Sequence, residues 1–110
     1  MKTNETNDLL DIGNDLTFTR IERRTSAAGT WVCGTVCGYE FCALVFPEHA
    51  EDREWEIGDS RISKLWVKNT ATKKVVYNWD RGLDVPPADK AAATVVGFLC
   101  AGLADAIFAE

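Results

Sequence analysis

An α+β domain is what this sequence predicts: an antiparallel β-meander of about four to five strands, with two hairpins, packed against one long C-terminal α-helix. Two paired runs and one apolar tail predict it. "TWVCGTV" and "EFCALVF" flank Cys37, Gly38 and Tyr39, and "RISKLWVKN" and "KVVYNWD" flank "TATK". Each run is biased towards β-branched or aromatic residues, as half-buried strands are. The tail "AAATVVGFLCAGLADAIFA", 91–109, instead places Ala92, Val95, Val96, Leu99, Leu103 and Ala106 on one stripe at helical spacing.

Taken in order, residues 1–14 are polar and rich in Asn and Asp, with Leu9, Leu10 and Ile12 as their few apolar anchors. They are expected to form a flexible N-terminal arm, ahead of a single domain over 15–110. "LTFTRIE", 16–22, alternates enough to read as a first strand, and "TSAAG" follows as a loop. In the first hairpin Gly38 suits the positive φ of a tight turn. With Gly38 and Tyr39 as its two-residue loop, Val36 faces Phe41 and Thr35 faces Cys42. Period two puts Val32, Gly34, Val36, Phe41, Ala43 and Val45 on one face, and Trp31, Cys33, Cys37, Cys42, Leu44 and Phe46 on the other.

The acidic stretch "PEHAEDREWEIGD", 47–59, precedes the basic stretch 61–74, so the domain is internally dipolar. In the second hairpin Leu65 and Val67 are expected on one face, and Ile62, Lys64, Trp66 and Lys68 on the other. "DRGLDVPP" reads as a breaker-rich connection. Pro86 and Pro87 suit the entry to the helix, and Asp84 or Asp89 its positive end. The helix back, with Lys90, Thr94, Gly97, Ala101, Asp105 and Phe108, is small and weakly polar for a solvent face.

Composition narrows the function classes. The chain has 110 residues and 46% hydrophobic content, enough for one domain with a core of its own. Its 12 Lys and Arg against 17 Asp and Glu give a formal charge of -5, which disfavours broad phosphate-backbone binding. "MKTNETNDLLDIGND" lacks the apolar run of a signal peptide, so a cytoplasmic location is expected. The tail approaches the length of a membrane span, but it contains Asp105 and has no flanking cluster of Lys and Arg, so it is read as a buried helix.

Three cysteines share the second face of the first hairpin. Diagonal positions lack the geometry of a relaxed disulfide, so Cys33, Cys37 and Cys42 are expected as thiols that fill small apolar spaces. With His49 they could complete a four-ligand zinc set only if the hairpin bent sharply, and the spacing matches no knuckle. No metal, cofactor or catalytic residue is assigned.

Both faces of the sheet carry large apolar side chains, yet one helix covers only one of them. A patch of Trp31, Leu44, Phe46, Ile62 and Trp66 therefore calls for a cover: the N-terminal arm, a second copy of the chain, or a different protein. The chain is accordingly read as a non-enzymatic protein-interaction module. Glu51, Asp52, Glu54, Trp55 and Glu56 of the acidic loop, and Ile62, Lys64, Trp66 and Lys68 of the second face, are its candidate partner-binding residues. Arg61 and Asp80 are expected as a structural ion pair. One alternative is a ligand or single-strand nucleic-acid binder using Lys64, Trp66, Lys68 and Lys74, since cations beside an aromatic ring suit stacked bases. Another is a structural homodimer joined through the second sheet face or the helix back.

"WVCGTVCGYEFCALVF", "RISKLWV" and "NWDRGLD" together resemble a family of short bacterial, phage and plasmid proteins, a domain of unknown function. The resemblance covers about residues 31–100 and rests on Trp31, Gly38, Tyr39, Arg61 to Leu65 and Asp80 to Gly82. Relatives typically look to have Lys and Trp where this chain has Leu44 and Leu83, and its cysteines are not part of the pattern. The family implies no activity. Its mobile-element setting implies, by analogy, an inhibitor of a host defence complex, in the manner of an anti-CRISPR protein.

Overall fold

The computed structural model describes residues 16–25, 28–58 and 60–108. The N-terminal arm, with Leu9, Leu10 and Ile12, lies outside them. Six strands form one antiparallel sheet in chain order: β1 (Thr17–Arg23), β2 (Thr30–Val36), β3 (Tyr39–Val45), β4 (Ile62–Asn69), β5 (Val75–Asp80) and β6 (Leu83–Val85). A 3-10 turn at Arg53–Trp55 interrupts the β3–β4 connection, and α1 (Lys90–Phe108) closes the chain. The α+β meander with its C-terminal helix is the expected architecture. Its sixth strand comes from "LDV", inside the stretch expected as a connection, where Arg81 takes a φ of 56° and Asp80 N donates to the Gly82 carbonyl.

The first hairpin turns one position earlier than expected. Cys37 and Gly38, with φ of 51° and 81°, form the two-residue loop, the doubly left-handed turn that matches strand twist. Val36 therefore pairs with Tyr39, and Cys33 comes directly opposite Cys42. The strands slip by two residues relative to the expected register, which returns every side chain to its own face. Val32, Val36, Phe41, Ala43 and Val45 accordingly all lie in the core. Gly34 is required for another reason: a Cβ there would stand 2.2 Å from the Thr17 carbonyl oxygen, so only glycine lets β1 approach.

Two irregularities overturn local face assignments. Leu44 pairs with Lys64 but Val45 with Ile62, so Ser63 is the extra residue of a bulge and Ile62 swings into the core, fully buried. Ile62 is thus a core residue and not a partner-binding one. In β1 a register shift between Phe18 and Arg20 sets Phe18 opposite Gly34 and Ile21 opposite Val32, on the same face, where simple alternation separates them.

Helix α1 begins at Lys90, after both prolines. Asp89 caps it, its Oδ1 accepting from Ala92 N at 2.9 Å. Ala92, Val95, Val96, Leu99 and Leu103 are buried as expected, whereas Ala106 is exposed and Ala104 takes its place. The helix packs on β4 and β5. By length and composition it is apolar enough to cross a membrane, a test that core helices also pass; here its stripe is buried against the sheet.

Candidate functional site

The face of the sheet opposite α1 is built from the residues between the core positions. Trp31, Phe46 and Trp66 are half-buried on it and Leu44 is buried, so the expected open apolar patch is largely closed from within the chain. Gly29 lies against Leu44 and Phe46, with the Arg24 guanidinium 5.7 Å from the Phe46 ring centre. A disulfide joins Cys33 and Cys42, whose Cα atoms are 4.1 Å apart. This corrects the expectation of thiols at these positions. The two-residue slip is the reason, because directly opposed cysteines bring their Cβ atoms together as diagonal ones do not. Two of the four weighed zinc ligands are thereby consumed, and among the described residues no group of three or more His, Cys, Asp or Glu is placed to hold a metal.

Cys37 and Cys100 take no part in this bond; the first is exposed at the turn and the second half-buried on α1. Burial pushes the Cys100 thiol up to about 11, against a smaller opposing effect of its hydrogen bond with Ser60. A thiol reagent near pH 8 is therefore expected to modify Cys37 in the native chain and Cys100 only after unfolding, because the thiolate is the reactive form. Mass mapping of the labelled peptides checks this; prompt labelling of Cys100 in the native state would contradict it.

The cations of the second face are engaged internally. Lys68 Nζ sits 5.5 Å from the Trp66 ring centre and 3.7 Å from Glu40 Oε1, and Lys64 Nζ lies 3.8 Å from Asp80 Oδ1. A base-stacking platform needs an open ring between cations available to phosphate; here a lysine occupies the ring and carboxylates offset the charge. Lys74 is exposed but lies beyond this face, at the β4–β5 turn. The expected Arg61–Asp80 pair does not form. Asp80 stands opposite Lys64, three residues beyond Arg61, and the Arg61 Nη2 instead reaches Asp105 on α1 at 2.5 Å. Asp80 pairs with Lys64 and, at 3.5 Å, with Arg81.

The acidic loop folds around one of its own acids. Glu56 is 2% exposed. Its Oε2 accepts from Ala50 N at 2.6 Å, and its Oε1 accepts from Arg61 N at 2.8 Å and lies 2.9 Å from His49 Nδ1. Burial alone would raise its pKa, but the hydrogen bonds with His49 and the backbone of Ala50 and Arg61, with the His49 charge, outweigh it and hold the carboxyl below its ordinary value. Glu56 is therefore a structural clamp, a correction to its assignment as a surface contact. Glu51, Asp52, Glu54 and Trp55 remain exposed. Asp52 caps the short 3-10 turn, and the Trp55 carbonyl accepts from Trp79 Nε1 at 3.0 Å.

Between this loop and the second face lies a cleft of about 680 Å³, within the size range of ligand sites. Leu44, Phe46, Pro47 and Trp55 supply apolar lining; Arg24, Arg61, Lys64 and Arg81 line it with cations, and Glu48, Glu51 and Glu56 with acids. Of the sequence candidates, Glu51, Trp55, Glu56 and Lys64 are brought together here, while Trp66 and Lys68 lie outside the lining. Phe46 was expected only as part of an apolar patch, and Arg24 and Arg81 not as site residues. The three come from separate strand ends, and the pairing of Asp80 with Lys64 and the bond from Arg81 N to the Ser63 carbonyl, 2.9 Å, hold the β5–β6 turn at the cleft.

A family model, described as a domain of unknown function (DUF7678), matches residues 30–104. The chain belongs to this family. The DUF7678 match spans β2 to most of α1, and so contains the cleft's β3–β4 loop, β4 and the β5–β6 turn, while β1 and Arg24 precede it. No curated protein and no solved structure matches the chain.

Proposed function

We propose that this chain is a non-enzymatic protein-interaction module that captures its partner at the cleft between the acidic loop and the sheet. The observation that carries this reading is the convergence of Glu51, Trp55 and Lys64 with Arg24, Phe46 and Arg81 around one concavity. An exposed tryptophan beside arginines is the composition of an interaction hot spot. His49 is engaged by Glu56 and Cys100 is held as a thiol, which favours binding over nucleophilic chemistry. The partner this reading favours is a component of host machinery, in line with an inhibitor encoded on a mobile element.

Affinity capture with the native chain tests it, alongside Trp55→Ala, Arg81→Glu and a control, Lys74→Glu, outside the cleft. A partner retained by the native chain and the control, and lost from both cleft variants by about tenfold or more, is the expected result. Equal retention by all four proteins, with their folding verified by circular dichroism, would overturn the cleft as the binding site.

A further inference from the structure

The two edges of the sheet are built differently. β6 is three residues long and runs into Pro86 and Pro87, a blunted edge. β1 presents seven residues without proline, all of them exposed. α1 packs chiefly on β4 and β5, and on the inner face of β1 Phe18 and Ile21 stay 37% and 53% exposed. On the other face Arg20 and Glu22 pair with each other, opposite Cys33 and Trp31.

The register shows which backbone groups of β1 are open. In an antiparallel ladder closely approached, non-hydrogen-bonded pairs alternate with hydrogen-bonded ones. The two-residue turn makes Val36 and Tyr39 a hydrogen-bonded pair, so Cys33 and Cys42, at 4.1 Å, form a non-hydrogen-bonded pair and Val32 bonds to β3. Val32 is then non-bonded towards β1, and its partner Ile21 turns its N–H and C=O to the outer edge, where no other described strand pairs.

We propose that two copies of this chain join antiparallel through β1, with the two-fold axis at Ile21. The stretch "RIE" is complementary to itself about that point. Ile21 exchanges both backbone hydrogen bonds with Ile21 of the partner subunit and packs its exposed side chain on it. Arg20 stands opposite Glu22 of the partner subunit, and Glu22 opposite Arg20 of the partner subunit, at the close non-bonded positions where opposite charges stabilise a pair. The charges that keep most edges apart here select one register and one partner, a second copy. The regular ladder is short, bounded by the irregularity after Phe18, so the dimer is concentration-dependent.

Sedimentation equilibrium on the full chain, Arg20→Glu, Glu22→Arg and an equimolar mixture of the two variants tests this. The native chain is expected to dimerise with rising concentration. Each variant alone sets like charges opposite each other at both positions and should weaken association by about tenfold or more. Their mixture restores opposite charges at both and should recover the dimer. Both positions are exposed, so the substitutions leave the fold intact, as far-ultraviolet circular dichroism verifies. A native chain that stays monomeric, variants that associate like it, or a mixture that does not recover would each overturn the proposal.

Discussion

Replacing Glu56 by glutamine should unfasten the 47–61 loop and, with it, the floor of the cleft. The buried carboxylate accepts from Ala50 N through one oxygen and from Arg61 N through the other. An amide cannot accept at both ends, so one backbone donor would face an NH2 group. Loss of a charged acceptor and an unsatisfied buried donor together cost about 3 kcal/mol. Faster amide exchange at Ala50 and Arg61, with the β2–β3 ladder still protected, is the expected signature. The acid side of the stability profile should change as well. Because the folded pKa of Glu56 is lowered, its stabilisation is present above the unfolded glutamate pKa and is lost as pH falls through the folded value. Glu56→Gln should flatten that acid slope; an unchanged slope would show that the clamp contributes no linkage.

Phe41→Ala is the substitution expected to cost the fold itself most. Phe41 is fully buried, paired with Gly34 on one side and Val67 on the other, beneath a helix that also buries Leu99. Truncation removes a ring and leaves a cavity that the sheet cannot close, for a loss of about 3–5 kcal/mol. Against a total stability of roughly 5–15 kcal/mol for a domain, this brings the chain close to unfolding. Urea titration should show a lower midpoint with an unchanged slope. A loss below about 1 kcal/mol would mean that the core around β3 repacks, contrary to its close packing.

The two substitutions separate the scaffold from the site. Phe41 acts on the whole core at once, because the core it fills is built from strands β2 to β5 and the helix. Glu56 acts on one loop, where its carboxylate accepts from two backbone N–H groups. A cleft variant such as Arg81→Glu touches neither and should leave stability within the ordinary range of a surface change, about 0.5 kcal/mol.

Much of this was legible in the residue order. Period two assigned Val32, Val36, Phe41, Ala43 and Val45 to one face, and helical spacing chose Ala92, Val95, Val96, Leu99 and Leu103, because burial of one face or stripe is encoded by local alternation. That was enough for the α+β class, the antiparallel hairpins and the helix that covers them. It also marked Glu51, Trp55 and Lys64 as surface residues of interest. What local patterns do not carry is register. Choosing Cys37 and Gly38 over Gly38 and Tyr39 as the turn leaves every face unchanged, yet it alone sets Cys33 against Cys42 and turns two thiols into a disulfide. Bulges are invisible for the same reason: the extra Ser63 sends Ile62 into the core, and its carbonyl holds the Arg81 N–H beside the cleft. Alternation by itself determined which residues are inside. Only the pairing of strands distant in sequence decided which of the others meet, since that depends on turns and bulges whose energies are settled between strands and not along them.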